Sequence, residues 1–236
     1  MNTEKIDDII VRRAYKLKFD NIYSLIDNKP FILAGGSLCG DKVNDFDIYP
    51  VSGSEFLVSD IEEKICEDEI FNKTTKLLSK TKNALTLDFN GQIIQFCNYK
   101  KYTLKELVDS FDFAHIKVGI RFQGNGEPPH ADGVYFSDDF VLANVGKTTY
   151  YTGSEYPTSS LIRTFKYAIR GKFEKREYVK CVITILSDII KRGVKDYGDF
   201  KDQMDAIDLG LSEYRGVYDL YDEMKKRGLV ESENQT

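Results

Sequence analysis

The residues best suited to chemistry fall in one stretch, Phe31 to Pro50, which reads FILAGGSLCGDKVNDFDIYP. Gly35, Gly36 and Ser37 follow a short apolar run. A strand that ends in Gly-Gly-Ser and opens a helical turn offers backbone N–H groups and a hydroxyl to an anion, because glycine lets a bound group approach the main chain. Phosphate is the natural guest. Eight residues beyond Ser37, Asp45 and Asp47 alternate on a strand-like segment, so both carboxylates point to the same face. Adjacent carboxylates repel unless a cation sits between them, and Mg²⁺ held by carboxylates and phosphate oxygens fits that need. A phosphate cradle beside a carboxylate pair implies nucleoside triphosphate chemistry.

The elements that must position these residues are legible in part. FILA (31–34) and NDFDIYPV (44–51) read as strands, and SLCGDKV between them is long enough for a helical turn or two. Before Pro30, Ile6, Ile9, Ile10, Ala14, Leu17, Ile22 and Leu25 recur at helical spacing, which predicts one or two amphipathic helices. Residues 54–69 predict another. ALTLDF and QIIQFC flank Asn90-Gly91, the pair best able to take positive φ at both centres of a two-residue hairpin turn. That turn pairs Phe89 with Gln92, Asp88 with Ile93, Leu87 with Ile94 and Thr86 with Gln95. Leu85, Leu87, Ile94 and Phe96 then form a core face, and Thr86, Asp88, Ile93 and Gln95 the other.

Thr103 with Glu106 has capping-box spacing and opens a short helix over 102–110. Residues 111–122 predict a strand, in which Phe113, His115 and Lys117 share a face and Asp112 falls with Ala114, Ile116 and Val118. His115 reads as a partly buried, hydrogen-bonded side chain. GNGEPPHADG (124–133) reads as a loop carrying a solvent-facing His130, and 134–144 as one or two strands. After Pro157 the chain reads helical over 158–171, 174–192, 198–209 and 212–227, with Gly193, Gly210 and Gly228 as stops and ESENQT as a frayed end.

The Gly-Gly-Ser turn followed by an Asp-x-Asp strand resembles the nucleotidyltransferase superfamily of DNA polymerase β, poly(A) polymerases and CCA-adding enzymes. TKNALTLDFNGQIIQF, LVDSFDF and YPTSSLIRTFKYAIRG resemble the compact nucleotidyltransferase-like proteins of phages and large viruses. The resemblance implies an α+β fold: a mixed sheet with flanking helices over residues 1–150, then a small helical domain over 151–236, with the active cleft between them. It implies Asp45 and Asp47 as ligands of two Mg²⁺ ions, and Gly35, Gly36 and Ser37 as holders of the outer phosphates of an NTP such as ATP. In this mechanism one ion activates the acceptor oxygen, the other neutralises the triphosphate, and pyrophosphate leaves. Two departures stand out. The interval from Ser37 to Asp45 is short, and the third carboxylate usual on a following strand is replaced here by Gln95, which carries no charge. Asp88 on the hairpin is the preferred substitute and Asp112 the next.

The chain has 236 residues, 42% hydrophobic and 30% charged, the balance of a folded globular protein. Its formal charge of −5 argues against a protein that coats nucleic acid by charge alone. Four scattered cysteines and two histidines give neither a zinc pattern nor a disulfide framework. No apolar run suits a signal peptide or a membrane span, which predicts a cytoplasmic protein. Charge is uneven: residues 157–192 hold nine basic and three acidic side chains, leaving the rest of the chain at −11. Arg163, Lys166 and Arg170 share a helix face, with Leu161, Ile162, Phe165 and Ala168 available for packing. Such a face suits a triphosphate, an RNA backbone or plain solvent. The leading expectation is nucleotide transfer from an NTP to an acceptor, foremost an RNA or tRNA 3′ end, the RNA held by the basic 163–176 surface. The alternatives are a protein or small-molecule acceptor, and an inactive module that senses nucleotide.

Overall fold

Alternation in β2 and in the Asn90-Gly91 hairpin decides which side of the sheet becomes core, and a computed structural model of the chain shows the result. It describes residues 3–17, 22–40, 45–80, 84–97, 103–124, 130–207 and 215–230. The elements run α1 (Thr3–Ala14), α2 (Ile22–Leu25), β1 (Phe31–Ala34), β2 (Asp45–Pro50), α3 (Val58–Glu67), α4 (Glu69–Thr74), β3 (Thr75–Lys80), β4 (Ala84–Phe89), β5 (Gln92–Cys97), α5 (Leu104–Asp109), β6 (Val118–Phe122), β7 (Ala131–Phe136) and α6 (Asp138–Gly146). Four helices follow: α7 (Pro157–Ile169), α8 (Lys175–Arg192), α9 (Tyr197–Ile207) and α10 (Arg215–Lys226). The chain divides into two compact units, Met1–Leu142 and Ala143–Thr236.

The first unit is α+β. Among the described residues seven strands form one mixed sheet in the order β3-β4-β5-β2-β1-β6-β7, in which β2 and β5 pair in parallel and the other neighbours antiparallel. Phe31, Leu33, Phe46, Ile48, Leu85, Leu87, Ile94, Phe96 and Ile120 pack from one face against Ile6 and Ile10 of α1, Leu25 of α2 and Ile61 of α3. The hairpin register is the one the sequence predicts, and Asn90 and Gly91 have φ of 52° and 80°. On the opposite face α5 lies over β6 and β7, with Leu107 packed beside Ile32 and Ala34. Gly119 permits this approach, since a Cβ there would meet Leu104 and Val108 side-chain atoms at 2.9 Å.

Two expectations are corrected. Residues 111–117 are not strand: Ile116 N donates to Phe113 O and Lys117 N to Ala114 O, so a 3₁₀ turn over 114–116 replaces a ladder until β6 begins. Residues 138–146 are helix α6, because Ser137 Oγ accepts from Phe140 N at 3.2 Å and caps a start carrying Asp138 and Asp139. Gly36–Leu38 form a 3₁₀ turn, within the expected helical turn or two, and residues 41–44 before β2 lie outside the described residues. The stop expected at Gly210 and the end ESENQT lie outside the described residues.

The second unit is helical. Arg192 ties α8 to α9 by donating to both carboxylate oxygens of Asp199 at 3.0 and 2.6 Å, and Val194, Phe200 and Tyr221 form its core with Tyr197 and Met224 against them. Helix α7 buries Ser159, Ser160, Thr164 and Tyr167, and Thr164 Oγ1 lies 3.7 Å from Cys181 Sγ of α8. Ile162 and Phe165, expected to pack, are instead half exposed. Small hydroxyl side chains let α7 come close to α8, which turns the apolar row outward. Among the described residues no helix is long and apolar enough to cross a membrane.

Candidate functional site

The site face of the first unit is the one left polar by β2 alternation. Phe46 and Ile48 enter the core, so Asp45, Asp47 and Tyr49 project together from the other side; Asp45 is exposed and Asp47 half buried. Antiparallel pairing sets Ala34 at the end of β1 level with Asp47, and the chain then turns at Gly35. Gly35 has φ 85° and ψ −142°, a conformation open essentially to glycine alone. A Cβ there would stand 3.7 Å from Asp47 Oδ2 and 3.9 Å from the Phe111 ring. The turn therefore lies against Asp47, with Asp45 on the same face of β2.

The turn is held from behind. Gly35 N donates to Val118 O at 2.9 Å, Gly35 O accepts from Leu38 N and from Cys39 Sγ, and Arg13 donates to Leu38 O at 2.9 Å. Among the described residues nothing lies within 4 Å of a Cβ built on Gly36, so it faces open space there. Ser37 is buried, yet its Oγ has no hydrogen-bond partner among the described residues. A buried hydroxyl without a partner costs about 1–3 kcal/mol, so an arriving oxygen or N–H that satisfies it gains in proportion.

Parallel pairing of β2 with β5 places Gln95 level with Asp47. The neutral side chain is engaged on both ends: Nε2 donates to Thr86 Oγ1 at 3.0 Å, and Oε1 lies 3.8 Å from Cys97 Sγ. Burial, followed by the Asp47 and Asp45 carboxylates, pushes the Cys97 thiol well above its ordinary pKa, so Cys97 stays protonated and unreactive at neutral pH. Thr86 and Cys97 join the site only through sheet order, a signal no local motif carries, whereas Tyr49 follows from the alternation of β2. Once β5 is placed beside β2, the hairpin register alone would find Thr86.

Asp88 shares this face but stands two strands from Asp45, because Asp88 pairs with Ile93 and Ile93 with Asp45. Its Oδ1 accepts from Gly91 N at 2.7 Å, within the hairpin turn. Asp112 is buried, and Lys117 feels its carboxylate together with those of the exposed Asp109 and the half-buried Asp139. Lys117 donates to Asp109 O at 2.7 Å, and its burial pulls the ammonium pKa down against the pull of those carboxylates. His115 is buried against Phe113. The structure thus sets Asp47 beside Gly35, with Asp45 on the same face. Among the described residues no group of three His, Cys, Asp or Glu side chains is arranged to share a metal ion. Arg163 and Lys166 belong to α7 in the second unit, where Arg163 donates to Ser159 Oγ at 3.1 Å and Lys166 is exposed.

Among solved structures, the chain is similar to a tRNA-processing enzyme in an apo form, with 13% identity and a TM-score of 0.45 over 89% of this chain and 57% of that one. A CCA-adding enzyme in complex with CTP is similar at 14% identity and a TM-score of 0.47, over 94% and 52% of the two chains. The chain spans little more than half the length of these structures. Comparison with curated proteins gave no match. Family comparison does: residues 9–147 match the family described as Gad2, Gabija anti-defense 2 family protein. That stretch is more than half of the chain and contains the Gly-Gly-Ser turn, both carboxylates and the whole sheet, so the chain belongs to the Gabija anti-defense 2 family.

Proposed function

We propose that the first unit binds an NTP with Mg²⁺ and transfers its nucleotide to an acceptor, releasing pyrophosphate. The observation that carries this reading is the contact between two motifs: Asp47 lies beside the Gly35 turn while Asp45 shares its face. Gly36, facing open space, and Ser37 Oγ, buried and unsatisfied, suit the outer phosphates. Asp45 and Asp47 suit one Mg²⁺ ion that shares phosphate oxygens, the usual way this ion is held. When bound, the ion would offset charge on the triphosphate. The backbone N–H groups of the turn would orient the phosphates, and Asp45, the more exposed carboxylate, would face the incoming acceptor. Two ions, as the superfamily resemblance has it, call for a third charge, and neutral Gln95 occupies the neighbouring position on β5.

The acceptor we propose is an RNA 3′ end, with Arg163 and Lys166 contacting its backbone; this rests on the basic surplus of 157–192. The anti-defense role in the family description is proposed for this chain as the purpose of that transfer. A second reading, favoured by Gln95, keeps Mg²⁺–NTP binding without transfer, as a sensor. Incubation with α-labelled NTP, Mg²⁺ and total cellular RNA distinguishes them. Label in RNA that disappears with Asp45→Ala and Asp47→Ala supports the proposal. Label in protein changes the acceptor, and binding without transfer selects the sensor.

A further inference from the structure

Helix α8 has two apolar faces. Cys181 and Ile185 are buried within the helical unit, whereas Val179, Ile183, Leu186 and Ile190 stand 48%, 63%, 44% and 80% exposed. Their spacing of four, three and four residues is the repeat by which one helix lays a seam along another. Isolated exposed aliphatics are ordinary on a soluble protein, but a row of four along one helix marks an interaction surface.

Charge selects the occupant. Glu177 and Asp188, the acids of α8, are already paired within the helix to Lys180 and Lys191 at 2.6 and 3.9 Å. Lys175 and Arg176 border the N-terminal end of the row with no ion-pair partner among the described residues, whereas at its C-terminal end Lys191 and Arg192 are already paired to Asp188 and Asp199. A second copy of α8 would set this basic end against itself if parallel, and if antiparallel against an end whose acids are already paired, so neither arrangement answers its charge. RNA would answer the charge but leave four branched aliphatic side chains in water. We propose that the α8 row docks an amphipathic helix of a partner protein, apolar along one seam and acidic along its flanks. The proposal does not depend on the nucleotide-transfer reading.

The test uses the full chain and a fluorescent synthetic helix of about three heptads, with Ile and Leu on the seam and Glu on the flanks. Comparison probes are the same peptide with Lys flanks and a single-stranded RNA. Anisotropy should show the Glu peptide bound, the Lys peptide not, and affinity falling as salt rises. Ile183→Ser with Ile190→Ser should weaken it by about tenfold or more, and Lys175→Glu with Arg176→Glu by a similar factor. Both pairs of changes fall at exposed positions, and an unchanged circular dichroism spectrum confirms the fold. The proposal is overturned if the Glu peptide does not bind, if both peptides bind alike, or if Ile183→Ser with Ile190→Ser removes RNA binding instead. Sedimentation showing a dimer that those two changes dissolve would assign the surface to a second copy and overturn it too.

Discussion

Replacing Gln95 by Glu places a third carboxylate where the site now holds a neutral amide, and its cost can be worked out. Asp47 and Gln95 are register partners on adjacent parallel strands, and both are half buried. Adjacent strands lie about 4.8 Å apart, and two unit charges at about 5 Å in an effective dielectric of about 20 repel by about 3 kcal/mol. Partial exposure of both groups reduces this to about 2 kcal/mol. The loss should lower the melting temperature of Gln95→Glu by about 4–8 °C at neutral pH. The sign follows from linkage: Asp47 raises the native pKa of the introduced carboxyl, so the penalty is present when it is ionised and fades as falling pH protonates it. A divalent cation between the carboxylates reverses the effect, so millimolar Mg²⁺ should raise the melting temperature of Gln95→Glu more than that of the wild type. Thermal unfolding by circular dichroism, near neutral pH and in mild acid, with and without Mg²⁺, reads all of this. A variant as stable as the wild type at neutral pH, with no added response to Mg²⁺, would refute the placement of Gln95 beside Asp47.

Other predictions follow from the same geometry. Asp88→Ala removes the acceptor of Gly91 N and should cost about 1 kcal/mol in unfolding titrations, while Mg²⁺–NTP affinity by calorimetry changes less than about twofold; a large loss of affinity would place Asp88 in the metal site. Gly124→Ala sets a Cβ 1.8 Å from Asn28 O and should destabilise by about 3 kcal/mol or more, whereas Gly36→Ala, with nothing within 4 Å, should leave stability unchanged and weaken NTP binding about tenfold. Hydrogen bonds from Arg192 are the main cause holding Asp199 below the usual carboxylate range, so this pair stabilises fully above the unfolded value near about 4 and is lost as pH falls through the lower native one. Asp199→Asn should therefore cost about 2–3 kcal/mol at neutral pH, a difference that shrinks in acid; a deficit constant with pH would contradict the pairing.

What was legible in the sequence is what local chemistry fixes. Asn90-Gly91 sets the hairpin register residue by residue, and Thr103 with Glu106 forms the capping box its spacing predicts, with Thr103 N donating to Glu106 Oε2 at 2.9 Å. What was not legible depends on neighbours. Strand β3 sits at the sheet edge with Leu77 and Leu78 exposed, so no alternation announces it, and Lys76 and Lys80 mark it only as an edge. Ser137 begins α6, but the apolar residues behind it mimic a strand. Helix α7 shows an apolar row that stays outside because its small hydroxyl face packs on α8. At the candidate site, Gly35, Asp45 and Asp47 could be read from spacing and the resemblance put Gln95 in the third-carboxylate position, whereas the register that sets Gln95 level with Asp47 waits on the parallel pairing of β2 with β5.

We propose that Asp45, Asp47 and the Gly35–Ser37 turn support transfer of a nucleotide. Release of labelled pyrophosphate from γ-labelled NTP, with Mg²⁺ and total RNA present, tests it whatever the acceptor is. Transfer predicts labelled pyrophosphate that depends on Mg²⁺, is abolished by Asp45→Ala and by Asp47→Ala, and persists with Asp88→Ala. Label appearing only as inorganic phosphate, or pyrophosphate formed equally by Asp47→Ala, would contradict it.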